Sequence, residues 1–276
     1  MTEEGRGRLA GVKLGFIGAG SMGSAIIRGL LAAGRVAPEN LVFHDPDPAR
    51  RAEAAQLGLK AAADNAGVMQ AQVVVLAVKP QLLDQVLAGI KEFAGPGHLI
   101  ISIAAGVPLA VLTAALPQSR LIRAMPNAPA LVAAAITGLA PGRGATPGDL
   151  EVALELFQAV GQAVVVEEKL LDAVTGLSGS GPAFVAVFIE ALADGGVKAG
   201  LPRPLALQLA LQTVLGSARL CQERNLHPGV LKDMVASPGG TTIAGLSVLE
   251  ERGFRGTVMG AVATAAARAK ELGKGN

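Results

Sequence analysis

Six consecutive residues, Ser237, Pro238, Gly239, Gly240, Thr241 and Thr242, have the types and spacing to seat an anion. Pro238 has no N–H, and Gly239 and Gly240 can take backbone angles closed to other residues. Such a turn can aim several consecutive N–H groups at one point. A helix N-terminus beside it makes that point a seat for a carboxylate. Ile243, Leu246, Leu249 and Glu250 follow at helical spacing, which predicts a helix from Thr242. The two Thr hydroxyls at the rim add donors or acceptors for a neighbouring nitrogen. The same residues also read as an ordinary cap and turn between two core helices.

A second group sits near the N-terminus. Val12 to Ile17 is a short β-like run that leads into Gly18-Ala19-Gly20-Ser21-Met22-Gly23. Ala25, Ile26, Gly29, Leu30 and Ala33 then continue at helical spacing. A G-x-G-x-x-G between a strand and a helix is the dinucleotide fingerprint. Gly18 permits the tight turn, Gly20 admits a pyrophosphate to the backbone, and Gly23 lets the helix pack on the strand. Asp45 ends the second strand, Leu41 to His44, about 20 residues past the glycines, where an acid can hold the adenosine ribose hydroxyls. That favours NADH; Arg50 and Arg51 follow and favour a 2′-phosphate, hence NADPH. Asp45-Pro46-Asp47-Pro48 also reads as a turn and helix cap.

These groups need a frame. Val73–Val78, Leu99–Ile103 and Leu121–Ala124 read as buried parallel strands, with helices at 49–57 and 82–90. Ala134–Leu139 and Val164–Val166 add edge strands around a helix at Pro147–Val160. The alternation predicts an α/β, doubly wound Rossmann-type sheet over residues 12–167, with residues 1–11 a disordered tail. After Glu167 the pattern becomes all-α. Helices are expected at 170–177, 182–197, 202–224, 228–235, 242–251 and 254–272. They are rich in Ala and Leu, with more apolar surface than one small bundle needs. Residues 168–276 therefore read as a helical domain that buries a face against another subunit.

Composition narrows the classes. The 276 residues carry a net charge of +2, no Trp, no Tyr and 7 Phe, which argues against a nucleic-acid binder. Mean hydropathy is +0.47, yet no run of about 18 unbroken apolar residues occurs, so no membrane partner is expected. The start of the chain has no apolar core of a signal peptide. Cys221 is the only cysteine, which excludes an intrachain disulfide and fits a reducing cytoplasm. Three scattered His and one Cys make no zinc site, and no metal is expected.

Several stretches resemble the pyrroline-5-carboxylate reductase family. Gly15 to Gly23 resembles its cofactor loop, and Ala77-Val78-Lys79-Pro80 its next cofactor contact. Ser102 to Gly106 and Ile122 to Asn127 are similar to two more family stretches. Ala173 to Ala183, with Ser178-Gly179-Ser180-Gly181-Pro182, and Leu231 to Thr242 are the more specific matches. The resemblance runs from about Leu14 to Leu272. It implies a Rossmann domain, a helical dimerisation domain, and an active site where the two meet across a homodimer, with dimers associating further into a ring. By position it implies a cofactor lining of Ile17, Gly18, Ala19, Gly20, Ser21 and Met22, then Asn65. Ala77, Val78, Lys79 and Pro80 extend that lining, as do Ile103, Ala104 and Ala105. Ser237, Gly239, Gly240, Thr241 and Thr242 would hold the substrate, with Glu168 nearby.

The reaction implied is reduction of Δ1-pyrroline-5-carboxylate to L-proline, the last step of proline synthesis, by NADPH or NADH. A protonated imine is already electrophilic, so the protein must seat the carboxylate, orient the nitrogen and present the hydride. The turn at Ser237–Thr241 suits the carboxylate, and the Thr242 hydroxyl suits the nitrogen, as the catalytic contact. This accounts for the lack of an evident catalytic His: His44, His98 and His227 read as surface or structural. Two alternatives remain. A β-hydroxyacid-type dehydrogenase would need an acid/base such as Lys198, which reads instead as a helix-end charge. A dinucleotide-sensing protein would bind the cofactor without turnover.

Overall fold

A computed structural model describes residues 7–274. Leu14–Ile17 forms β1, and Ser21–Ala32 forms α1 behind the glycine loop. Leu41–His44 is β2, Pro48–Ala55 is α2, Lys60–Ala61 is β3 and Asn65–Val68 is α3. Val73–Leu76 is β4, Pro80–Ile90 is α4, Leu99–Ser102 is β5 and Leu109–Ala115 is α5. Arg120–Met125 is β6, Ala135–Pro141 is β7, Pro147–Gln158 is α6 and Gly161–Val165 is β8. The eight strands form one sheet in the order β3-β2-β1-β4-β5-β6-β7-β8. All neighbours are parallel except β6 and β7. Order reverses between β1 and β4, the switch point at which doubly wound sheets bind ligands.

The central strands are buried on both faces, which their unbroken apolar runs require. Phe16, Phe43, Val75 and Ile101 pack to one side with Ile26 and Leu30 of α1 and Phe157 of α6. Ile17, Val74, Leu76 and Ile100 pack to the other with Leu83 and Leu87 of α4 and Leu112 of α5. Alternate residues of one strand thus feed two cores. Thr146 caps α6 in a reciprocal capping box with Asp149, which also holds Arg120 at 2.5 Å.

The tail expected at 1–11 begins outside the described residues, but 7–11 forms a turn. Leu9 is fully buried in the first core, and its N–H donates to Glu155 Oε2 at 3.2 Å. The buried Leu9, this bond and the Arg8–Glu151 ion pair at 2.7 Å tie the turn to the first core and α6.

The chain divides into two units, Met1–Gly179 with Thr264–Asn276, and Ser180–Ala263. The sheet's unit thus runs past the expected boundary at 167/168, as far as Gly179. Leu171 is fully buried in the sheet's second core, and Gly138 of β7 faces Leu171 and Val174, so residues 168–179 stay with the sheet. The helix expected at 170–177 is there divided into a 3₁₀ turn at Glu168–Leu170, α7 at Leu171–Val174 and a π-turn at Thr175–Gly179.

The second unit holds Gly181–Lys198 (α8), Arg203–Glu223 (α9), Pro228–Met234 (α10), Thr241–Glu251 (α11) and the first half of Phe254–Lys274 (α12). Its own core is small: Ala193, Ala206 and Ala210, flanked by Ile189, Val197 and Leu201. Val187 and Met259 are each 66% exposed, and Leu215 is 53% exposed, so much apolar surface is left uncovered in the single chain. The helical run Glu168–Lys198 is long and apolar enough to cross a membrane by length and composition alone. Lys169, Asp172, Glu190 and Asp194 interrupt it, between Glu168 and Lys198 at its ends.

Candidate active site

The glycine loop closes tightly. Gly18 has φ +95°, and a Cβ there would come within 2.6 Å of the Ala77 carbonyl oxygen. At Gly23 a Cβ would lie 2.6 Å from the Gly18 carbonyl oxygen, so helix and loop pack as the fingerprint requires. Gly20 is the N-cap of α1, without a side-chain cap bond, and a Cβ there meets nothing within 4 Å. The backbone at Gly20 is therefore bare, as a pyrophosphate seat must be.

Asp45 is 9% exposed at the end of β2. Its Oδ2 accepts the Ala19 N–H at 2.7 Å and its Oδ1 the Asp47 N–H at 2.9 Å. Both oxygens thus have backbone donors, and Asp47 caps α2, so the turn and helix-cap reading of Asp45-Pro46-Asp47-Pro48 holds. Arg51 donates to the carbonyls of Asp45 (2.8 Å) and Pro46 (2.9 Å), while Arg50 has only a 4.0 Å approach to Asp47. Arg51 is thus engaged on backbone carbonyls, whereas Arg50 borders a cleft with Ser21 and Arg28.

Ile17, Gly18, Asn65 and Val78 line one cleft of about 490 Å³, together with His44 and Pro46. His44, expected in a surface or structural role, has its Nδ1 3.2 Å from the Ala62 carbonyl oxygen and also lines this cleft. Its place at a strand end, next to Asp45, was the available signal. Leu82 and Gln85 of α4 complete the wall and were missed, because a helix face gives no chemical cue. Ser21 borders a separate cleft of about 410 Å³ with Arg28 and Arg50. Met22 is half-buried against the first core. Lys79 caps α4 and Pro80 opens it. Ile103 and Ala105 flank buried Ala104 after β5, where Gly106 (φ +76°) turns the chain. The residues fit a dinucleotide: bare backbone at Gly20, small residues at the strand ends, and a cleft at the switch point. Among the described residues no group of three or more His, Cys, Asp or Glu could hold a metal.

Glu168, which the resemblance implies near the substrate, lies in the first unit at the start of a 3₁₀ turn. Its Oε1 accepts the Leu109 N–H at 2.6 Å and lies 3.4 Å from Arg123, a buried guanidinium that also approaches Asp172 at 3.6 Å. In the described chain this carboxylate is engaged within the first unit. Lys198 is the last residue of α8, where a cation offsets the helix dipole.

In the second unit, Ser237–Gly240 forms a tight turn, with the Gly240 N–H donating to the Ser237 carbonyl at 3.0 Å. Pro238 is followed by Gly239 at φ +64°, the positive angle such a turn requires. A Cβ on Gly240 would collide with Ser237 Oγ. Gly240 is the N-cap of α11, with no side-chain cap bond, so its first turn offers N–H groups to a ligand. Thr241 and Thr242 are the first two helical residues; Thr242 is half-buried and does not cap. The cap reading of this stretch thus belongs to Gly240.

Two family models match. One, pyrroline-5-carboxylate reductase dimerisation, covers residues 168–272; the other, NADP oxidoreductase coenzyme F420-dependent, covers residues 13–106. The chain is 53% identical to a pyrroline-5-carboxylate reductase of Methanosarcina acetivorans over 95% of its length and 98% of that protein. It is 45% identical to the Escherichia coli enzyme of that name, over 95% and 98% of the two chains. Among solved structures, a Coxiella burnetii pyrroline-5-carboxylate reductase superposes with a TM-score of 0.90 at 35% identity, covering 95% of this chain and 98% of that one. A Plasmodium falciparum pyrroline carboxylate reductase with NADP bound gives 0.85 at 34% identity, with the same coverage. A sheet built to hold a dinucleotide, a helical region matching a dimerisation model and 45–53% identity to two such enzymes over 95% of the chain converge: the chain belongs to the pyrroline-5-carboxylate reductase family.

Proposed function

We propose that this protein reduces Δ1-pyrroline-5-carboxylate to L-proline with NADPH or NADH. The observation that carries the reading is the Ser237–Gly240 turn feeding the uncapped N-terminus of α11. It is an anion seat in a chain whose other unit bears a dinucleotide loop. The Ser237, Gly239, Gly240 and Thr241 backbone holds the substrate carboxylate. The Thr242 hydroxyl meets the ring nitrogen and orients the C=N bond. The nicotinamide supplies the hydride. It adds to the imine carbon of the protonated ring, and the C=N electron pair passes to nitrogen, so the product is a neutral amine that takes its second proton from water. No strong acid is required, because the protonated ring is already electrophilic.

The bare loop at Gly18–Met22 takes the pyrophosphate, and the ends of β4 and β5, Ala77–Pro80 and Ile103–Ala105, carry the rest of the cofactor. Asn65 borders the adenosine end. The protein works as a homodimer, covering the exposed apolar faces of α8, α9 and α12, with dimers joining into a ring in the cytoplasm. Glu168, held by Arg123 and the Leu109 N–H, stands near the substrate in the assembled protein. Oxidation of NADH and NADPH, followed by absorbance with pyrroline-5-carboxylate as substrate, tests the reading. Turnover with either cofactor is expected; cofactor binding without turnover would favour a sensing role.

A further inference from the structure

Asn127 follows β6 in Met125-Pro126-Asn127 and is 8% exposed. Its Oδ1 accepts the Ile136 N–H of β7 at 3.0 Å, and its Nδ2 donates to the Ser178 carbonyl at 3.0 Å. One amide thus spans two backbone segments, using its acceptor on one and its donor on the other.

The Ser178 carbonyl has a particular need. In a continuing helix it would accept from the residue four positions on, but that residue is Pro182, which has no N–H. The next N–H, of Ala183, goes to the Ser180 carbonyl at 3.0 Å. The hydroxyls of Thr175 and Ser178 fold back onto the Leu171 and Val174 carbonyls (2.8 and 2.9 Å). The π-turn Thr175–Gly179 is therefore tied to the end of the sheet by Asn127. It also sits flush against it, since a Cβ on Gly179 would come within 2.8 Å of Met125 Cε.

This is the edge of the sheet that holds the cofactor. The glycine loop leaves β1 there, Ala77–Pro80 leaves β4 and Ile103–Ala105 leaves β5. β2 lies on one side of the switch point and β5 and β6 on the other, so a dinucleotide laid across it with its adenosine at Asp45 would extend toward β5 and β6. Single π-turns inserted in helices recur at functional sites.

We propose that Asn127 is a positioning residue for hydride transfer: it holds the π-turn Thr175–Gly179 as the wall of the nicotinamide end of the cofactor cleft. The inference rests on the reductase reading above. It touches neither the pyrophosphate loop nor the Ser237 turn.

The test compares Asn127→Ala with the double variant Asn127→Ala/Pro182→Ala, in which residue 182 regains an N–H for the Ser178 carbonyl and folding is kept. Deuterium exchange of the ligand-free protein should rise across 175–181 in Asn127→Ala. Binding of NADPH, read from its own fluorescence, should change less than about threefold, since the pyrophosphate seat is intact. The kcat should fall about 10- to 100-fold, the size of effect a slight misplacement of reactants produces. The primary deuterium isotope effect from NADPH labelled at the transferred position should rise. Restoring the carbonyl's donor in the double variant should return exchange toward normal while kcat stays low, because the tie to β6 is still missing. Full recovery of kcat in the double variant, or unaltered kcat in Asn127→Ala at normal folding, would overturn the proposal. So would a fall in kcat with exchange at 175–181 unchanged. The unsubstituted protein separates the two readings: no turnover in it counts against the reductase reading, whereas turnover in it with unaltered Asn127 variants counts against Asn127 alone.

Discussion

Asp45 and Ala19 are joined by a 2.7 Å hydrogen bond, from the backbone N–H of the glycine loop to the carboxylate that ends β2. The acid expected to read the ribose also fastens the loop that carries the pyrophosphate. Asp45→Asn keeps the shape, removes the charge and leaves one of the two backbone N–H groups without an acceptor. The ratio of kcat/KM for NADPH over NADH should rise about 10-fold, or ~1.4 kcal/mol, because a 2′-phosphate no longer meets a carboxylate. Thermal stability should fall by about 1–3 kcal/mol, the cost of a buried donor left unpaired. An unchanged ratio would show that Asp45 has no part in ribose recognition.

Thr242→Val removes a hydroxyl without changing shape. The cap of α11 is Gly240, so little stability should be lost. Loss of a bond to a charged nitrogen costs about 1.5–3 kcal/mol, a decrease in kcat/KM of roughly 10- to 150-fold. NADPH affinity should hold. A variant with near-normal turnover would remove Thr242 from the mechanism.

Gly240→Ala tests the seat itself. The added methyl drives the Ser237 hydroxyl aside and crowds the Ser237 carbonyl at 3.2 Å, within the turn that presents the α11 N-terminus. The KM for the imine carboxylate should rise about 10-fold or more, equivalent to ~1.4 kcal/mol, with cofactor affinity unchanged. Equal losses for substrate and cofactor would point to general unfolding instead, which a melting curve would show.

The assembly should be visible in light scattering. The single chain leaves Val187 and Met259 each 66% exposed. At micromolar concentration the protein should have at least a dimer's mass, and Val187→Glu or Met259→Glu should lower it, because a buried charge at an apolar interface costs several kcal/mol. A fully active monomer would contradict the proposed assembly.

Much of the frame could be read from the chain. The apolar runs at Leu14–Ile17, Val73–Leu76 and Leu99–Ser102 could only be buried parallel strands, and Gly18, Gly20 and Gly23 named the turn between β1 and α1. Pro238 and Gly239 named the second turn, because few residue pairs tolerate its angles. The losses have one origin. β3 is two exposed residues, Lys60 and Ala61, whose pairing with β2 leaves no local pattern. The antiparallel course of β7 is set by β6, not by its own residues. Glu168 bonds a residue 59 positions away, and Asn127 one 51 positions away. Contacts at that range impose no periodicity, so a side chain's partner stays hidden even where its type is plain.

Helix α12 begins among the helices of the second unit and ends on the sheet unit, where Leu272 and Gly273 cover the Gly106 turn behind Ile103–Ala105. The second unit is therefore an insertion: the chain leaves the first unit after Gly179 and re-enters it at Thr264. Cutting the gene at that departure point would not release a complete nucleotide-binding module. Residues 7–179 alone keep every strand but leave one side of the Gly106 turn bare. They should bind NADPH more weakly than a deletion variant in which a short glycine-serine linker joins 179 to 264. Titration of the cofactor's fluorescence against the two would measure how much of the binding site is contributed by the chain's last helical turns.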